Sequence, residues 1–157
     1  MAKAIDVANF LVFMAQNESE PDYLTNMRLQ KLLYYCQGWS LALRAVPLFP
    51  ERIEAWAHGP VVPDVYREFK DYKGHVLNFE TEEVPDWELA DEEVDHIASV
   101  WLSYKNHSAS SLREITHRET PWIKTRNGIG PLDRCEEEIP VPLMKRYFDR
   151  KAEEDDE

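Results

Sequence analysis

Apolar residues at Ile5, Ala8, Val12 and Ala15 recur at spacings of three and four, with Leu11 and Met14 beside them. That period is helical and predicts a first helix over Ala4 to Gln16. Asn17 to Tyr23 is a polar loop containing Pro21, after which Thr25 or Asn26 is placed to cap the next helix. The second predicted helix runs from Thr25 to about Arg44. Leu29, Leu32, Leu33, Cys36, Trp39 and Leu43 mark its main stripe, with Tyr34, Tyr35 and Leu41 on other faces. A helix apolar over most of its circumference is one surrounded by others. It is therefore expected at the centre of the domain, with Arg28, Lys31 and Arg44 reaching solvent. Gly38 in its interior costs about 1 kcal/mol relative to Ala, which close approach of a neighbouring backbone would offset.

Pro47 and Pro50 end that helix. Leu48-Phe49 and Arg52 to Trp56 predict two short strands around a Pro50-Glu51 turn, with Ile53, Ala55 and Ala57 on one face. Val76 to Glu80 alternates similarly and predicts a third strand. His58-Gly59-Pro60-Val61-Val62-Pro63 is a turn feeding a third helix, with Pro63 at its first position. Val65, Tyr66, Phe69 and Tyr72 form the buried stripe of that helix, and Gly74 sits where a C-terminal cap is expected. A fourth helix begins near Asp91, its first acids favourable to the helix dipole, with a stripe of Val94, Ile97, Ala98, Trp101 and Tyr104. Ser108 or Ser111 starts a fifth, and Ser111 with Glu114 has the spacing of a capping box. Thr120-Pro121-Trp122 predicts cap, first position and anchor of a short helical turn closed by Gly128. Pro142 opens a last helix whose Leu143, Met144, Tyr147 and Phe148 face inward.

These elements add up to a mainly α fold: a compact single domain of about six helices around the central buried helix 25–44. A small β-hairpin or three-stranded sheet is expected at about 47–57 and 76–80. Residues 1–150 form the domain and 151–157 an acidic, disordered tail. Neither an internal repeat nor a dividing linker interrupts the 157 residues. A chain of this length buries roughly 68–70% of its unfolded surface, and 43% hydrophobic residues suffice for that core.

Charge changes the picture more than composition does. The net charge is −12, but Glu80 to Asp95 holds nine acids and no base, Glu136 to Glu138 three, and Glu153 to Glu157 five. These runs take 17 of the 30 acids, leaving 13 against 18 Lys and Arg. An acidic protein repels phosphate backbones, and no helix carries the cluster of Lys and Arg that a major-groove reader needs. Nucleic-acid binding, including repression of its own operon, is thus disfavoured. The acidic runs are solvated surface or a dock for a basic partner. Apolar runs fall short of the ~20 residues of a membrane span, and two cysteines without CxxC spacing suit a reducing compartment; the protein is expected in the cytoplasm and off the membrane.

Candidate chemistry is thin. Glu92 and His96 stand four apart on a helix, but two groups do not make a metal site, and an exposed ion pair is the plainer reading. Cys36, among leucines and tyrosines, is expected to be an inert core thiol. Sequence signatures for phosphate cradles, nucleotide folds and zinc hydrolases are absent. Two turns nevertheless look over-specified for packing alone. One is Trp56-Ala57-His58-Gly59-Pro60-Val61; the other is His117-Arg118-Glu119-Thr120-Pro121-Trp122. Either they are a turn and a cap plugged by tryptophans, or they shape a docking surface, since Trp, Tyr and Arg anchor interfaces.

The same residues carry a family resemblance. Leu24-Thr25-Asn26-Met27-Arg28-Leu29-Gln30-Lys31-Leu32-Leu33-Tyr34-Tyr35-Cys36-Gln37-Gly38 resembles the "LQKLLYYAQ" helix of the Panacea domain, the SocA-like antitoxin family also met as a phage-associated protein. Pro47-Leu48-Phe49, Glu54-Ala55-Trp56 and Gly59-Pro60-Val61 with Tyr66 resemble its "PLF…I-AW-GPV…Y" segment. Leu112, then Thr116-His117-Arg118-Glu119 and Pro121-Trp122, resemble its closing "L…TH-E-PW" motif. The pieces occur in order and span the chain to about Phe148. Cys36 stands where a small residue is common, and His58 where an aromatic often precedes Gly-Pro-Val. The resemblance implies a helical, non-enzymatic antitoxin of a bacterial or prophage toxin–antitoxin pair, with no cofactor, no metal and no catalytic residues. Its implied partner is a cognate toxin protein encoded beside it. The implied partner-binding residues are Gln30, Lys31, Tyr34, Trp56, His58, Gly59, Pro60, Val61, Tyr66, His117, Glu119 and Trp122. Two alternatives stay open: an adaptor delivering its partner to a protease, and a hydrolase using His117, Glu119 and His58 as acid–base groups.

Overall fold

The structure is a computed structural model, and residues 1–155 are described. It is mainly helical. Helix α1 spans Ala4–Gln16, as its periodicity predicts. Strand β1 (Leu24–Thr25) leads into α2 (Asn26–Leu43), where the Thr25 hydroxyl caps the helix by accepting from Arg28 N at 3.3 Å. Next come β2 (Glu54–Trp56), β3 (Gly59–Val61), α3 (Pro63–Phe69) and β4 (Val76–Leu77). Helices α4 (Asp91–Tyr104), α5 (Ala109–Thr116), α6 (Thr120–Arg126) and α7 (Val141–Asp155) complete the order. Among the described residues the expectation of about six helices holds, with the turn at Thr120 forming a short seventh. No helix of the described residues is long and apolar enough to cross a membrane.

Helix α2 is the core element, with α1, α3, α4, α5 and α7 packed around it. Its burial exceeds the expectation. Lys31 is fully buried and Arg28 nearly so, although both were expected in solvent, whereas Leu43 is 66% exposed. Arg28 accounts for its own burial: its guanidinium grips both Asp22 carboxylate oxygens at 2.8 and 2.9 Å and donates to Lys105 O at 2.7 Å. Gly38 is needed because α7 crosses there. A Cβ on it would lie 2.1 Å from Phe148 Cε2, so the close neighbour is an aromatic ring rather than a backbone. That ring makes edge contacts with Tyr34 and Trp39 at centroid distances of 5.5 and 5.2 Å.

The β structure is displaced from its predicted place. The hairpin pairs Glu54 with Val61 and Trp56 with Gly59, leaving Ala57-His58 as the turn. Leu48-Phe49 is not a strand. Gln37 of α2 satisfies that extended segment instead, accepting from Leu48 N (2.8 Å) and Phe49 N (3.2 Å) and donating to Phe49 O (2.9 Å). Val76–Leu77 pairs with Leu24–Thr25, so the described residues form two separate two-stranded pairs and no three-stranded sheet.

Several end signals also shift. Helix α3 passes into a 3₁₀ turn at Lys70–Tyr72, and Lys73, not Gly74, takes the positive φ of 54°. Ser108 is the cap of α5, accepting from Ser111 N at 3.1 Å, so Ser111 does not start that helix. Glu119, not Thr120, occupies the cap position of α6. On α4 the inward face takes Glu93 and His96, with Val94 and Ala98 half-buried. Helix α7 continues through Lys151 to Asp155, so the expected disordered tail is helical that far. Its last two positions, 156 and 157, lie outside the described residues.

Candidate functional site

The three motif pieces meet at one place, where the first half of α2 faces the β2–β3 hairpin and the α5–α6 junction. Gln30 accepts from Val62 N at 2.9 Å and donates to Asn26 Oδ1 at 2.8 Å, while Asn26 donates to Tyr66 O at 3.1 Å. This relay ties α2 to the hairpin and to α3. Lys31 Nζ donates to Pro60 O at 3.1 Å and lies 3.3 Å from Met27 Sδ. Gly59 is required twice over. Its φ of +115° is one that side chains rarely adopt, and a Cβ would sit 2.5 Å from Lys31 Cε.

The second turn closes on the same hairpin. His117 presents Nδ1 to Arg113 O at 2.6 Å and Nε2 to Ala57 O at 2.8 Å. A neutral imidazole can donate to only one of them. Trp122 lies against the His117 ring at 4.0 Å and donates from Nε1 to Trp56 O at 2.8 Å. Arg126, whose guanidinium sits 4.9 Å from the Trp122 ring centre, donates to Ala55 O at 2.9 Å and Gly130 O at 2.6 Å. Glu119 bonds to different neighbours: Tyr34 and Tyr35 hydroxyls donate to it at 2.9 and 3.1 Å, and Lys151 Nζ of α7 is 3.6 Å away.

Burial governs the electrostatics here. It holds the Lys31 ammonium down to a pKa of about 7, with Arg113 adding to the effect. It also keeps His117 below the ordinary histidine value, although the Ala57 and Arg113 carbonyls pull the other way. Glu119 is pushed up by burial, opposed by Lys151 and the two tyrosines. Tyr34 and Tyr35 are raised by burial first and by Glu119 next. Cys36 is an inert core thiol, fully buried with its pKa raised. His96 does not pair with Glu92; it is buried with Nε2 2.9 Å from Cys36 O, and burial lowers its pKa. Among the described residues no group of three His, Cys, Asp or Glu side chains is placed to hold a metal.

Most of the predicted contact residues are therefore internal. Gln30, Lys31, Tyr34, Gly59, Pro60, Val61, Glu119 and Trp122 are buried; Trp56, Tyr66 and His117 are half-buried; His58 is exposed. Trp56 and Tyr66 pack edge to face at 5.0 Å beside the turn that carries His58. The three proposed acid–base groups do not converge, because His117 and Glu119 face separate partners. Sequence reading assigns no role to Arg126 or Gln37 and takes Asn26 only as a candidate cap, yet these three hold the hairpin and its flanking segments. Arg126 had a visible signal, a cation in the last turn of a helix, but that position reads equally as a dipole contact.

Known proteins bear on this architecture in two ways. The family described as antitoxin SocA-like, Panacea domain, matches residues 29–123. Antitoxin SocA of Caulobacter vibrioides (strain NA1000 / CB15N) is 32% identical over 134 residues, covering 79% of this chain and 70% of that protein. No solved structure matches.

Proposed function

The chain belongs to the SocA-like antitoxin family with its Panacea domain, and from that premise we propose that it neutralises a toxin protein by binding it. The observation that carries this reading is how the motif residues are used. Gln30, Lys31, Glu119, Trp122 and Arg126 close hydrogen bonds inside the fold. They fix the shape of a surface rather than assemble reactive groups around an opening. His117 is occupied by two carbonyls, and Glu119 is enclosed by tyrosines. The partner-facing members of the set are then Trp56, His58 and Tyr66, presented on the hairpin and the start of α3. Buried members act through them. The partner is the cognate toxin, and the protein works as a cytoplasmic binding module without chemistry of its own.

The test is co-expression of this chain with the toxin encoded beside it, scoring growth and toxin abundance. Rescue with unchanged toxin abundance supports occlusion, whereas rescue with falling abundance supports delivery to a protease. Absence of rescue, or a harmless neighbour, overturns the antitoxin reading. Ala substitution at the exposed His58 is expected to weaken rescue with little change in melting temperature, whereas Tyr66→Ala also loses its edge contact with Trp56 and should lower both. Rescue lost on His117→Ala with toxin binding intact would instead favour chemistry at that residue.

A further inference from the structure

A second surface lies at the other end of α2. Leu43 is twelve residues beyond Lys31, about 18 Å along the helix. There α2, α4 and α7 leave a groove of about 270 Å³ between them. Trp39, Leu43, Val100 and Ala152 form its apolar floor, and Ser99 and Asp155 stand at its edge. Leu43, which lines the groove, is a large apolar side chain left in water at 66% exposure. Both ends of the groove are acidic. Glu92 stands one helical turn before the groove-lining His96, flanked by exposed Asp91 and Asp95. Glu153, Glu154 and Asp155 close the last turn of α7, which has no base. Arg44, bonded to Ser40 Oγ at 2.8 Å, places its charge near His96 and offsets one of these acids, leaving the acids in excess.

We propose that this groove docks a basic amphipathic helix of the toxin, apolar stripe on the Trp39–Leu43 floor and cations against the acidic ends. The inference rests on the reading that the partner is a toxin protein. The walls are helices whose backbone groups are satisfied internally, so an added strand would find no edge to pair with. From His96 to Ser103 the wall is about two turns long, which suits apolar residues at i, i+3/i+4 and i+7. A second copy of this chain would bring acid against acid, and juxtaposed like charges cost several kcal/mol. Charge complementarity therefore selects a cationic partner.

The probe is a fluorescent helical peptide of about 14 residues, leucines in one stripe and lysines elsewhere, compared with its glutamate counterpart. Anisotropy is read with the full chain at ~0.15 M salt. The lysine peptide should bind, and Ser99→Trp, which fills the groove, should weaken it about tenfold. Leu43→Lys tests the same surface at an exposed position where folding is not at stake. The same two variants should lose toxin rescue while wild type keeps it. Equal peptide binding by the variants, equal binding of the glutamate peptide, or full rescue by both variants overturns the groove proposal and leaves the antitoxin reading standing. A wild-type dimer in sedimentation that Ser99→Trp makes monomeric overturns it in favour of a second copy. Failure of wild type itself to rescue strikes the antitoxin reading instead.

Discussion

Among the described residues Lys31 bonds one oxygen, Pro60 O, and no carboxylate, although its ammonium is fully buried. Its pKa is about 7 folded and near 10.4 unfolded. Between those values the unfolded chain binds the extra proton, so stability rises with pH from 7 toward 10; below 7 both states are charged and the contribution is flat. The rise is on the order of 4 kcal/mol if fully expressed. It is best read from pH 7 to about 8.5, because above that the Cys36 thiol, and above about 10 the tyrosines, all held neutral by burial, oppose it. Lys31→Met should flatten that slope in urea titrations, and an unchanged slope would assign it to another group. Gly38 makes the opposite kind of prediction. Gly38→Ala improves helix propensity by about 1 kcal/mol but drives a Cβ into the Phe148 ring, and overpacking of that kind costs about 1–3 kcal/mol. A net fall in melting temperature is expected, and Phe148→Leu should turn it back. At this scale the sequence showed Gly38 as an anomaly, a glycine inside a core helix, whereas Lys31 read as a solvent-facing cation and is buried. It did not show what they touch, since Pro60 and Phe148 are brought there by elements far along the chain.

Elements were legible where periodicity was long and illegible where pairing was at stake. Helices α1, α2 and α4 fall within a residue or so of their predicted limits, because eleven or more residues of one period leave little freedom. Short extended segments carry too few residues to name a partner. Leu48-Phe49 reads as a short strand and is satisfied by Gln37; Val76 to Glu80 alternates like one, and its Val76–Leu77 pairs with Leu24–Thr25. The joint between elements that matters most is Glu119, whose carboxylate links the start of α6 to α2 and α7. Glu119→Ala leaves the hydroxyls of Tyr34 and Tyr35 without that partner, at about 1–3 kcal/mol for each buried group. A loss of several kcal/mol of unfolding free energy, read as a lower urea midpoint, is expected, with Glu119→Gln falling in between because it retains one acceptor. If Glu119→Ala proves near-neutral, the carboxylate is not the joint described, and water has replaced it. Rescue of the toxin should fall in step with stability for both variants, as expected of a structural rather than a catalytic group.

At the scale of the whole molecule, the acidic excess has a physical role that no single contact conveys. The segment from Glu80 to Glu88 wraps α1, pinned by Trp87 against Phe10 and Phe13 at centroid distances of 5.4 and 5.1 Å. Its acids Glu82, Glu83, Asp86 and Glu88 stay exposed. With a net charge of −12, the molecule is a source of negative potential that draws a cationic partner and repels nucleic acid. Replacing those four carboxylates by amides removes a third of that net charge without touching a buried group. Stability should hold or rise slightly as self-repulsion eases. Association with a basic toxin should slow by about tenfold at low salt and converge with wild type as ionic strength rises, while dissociation stays unchanged. Stopped-flow mixing at several salt concentrations separates these effects. If the variant instead dissociates faster at every salt concentration, the segment is a contact surface rather than a steering field.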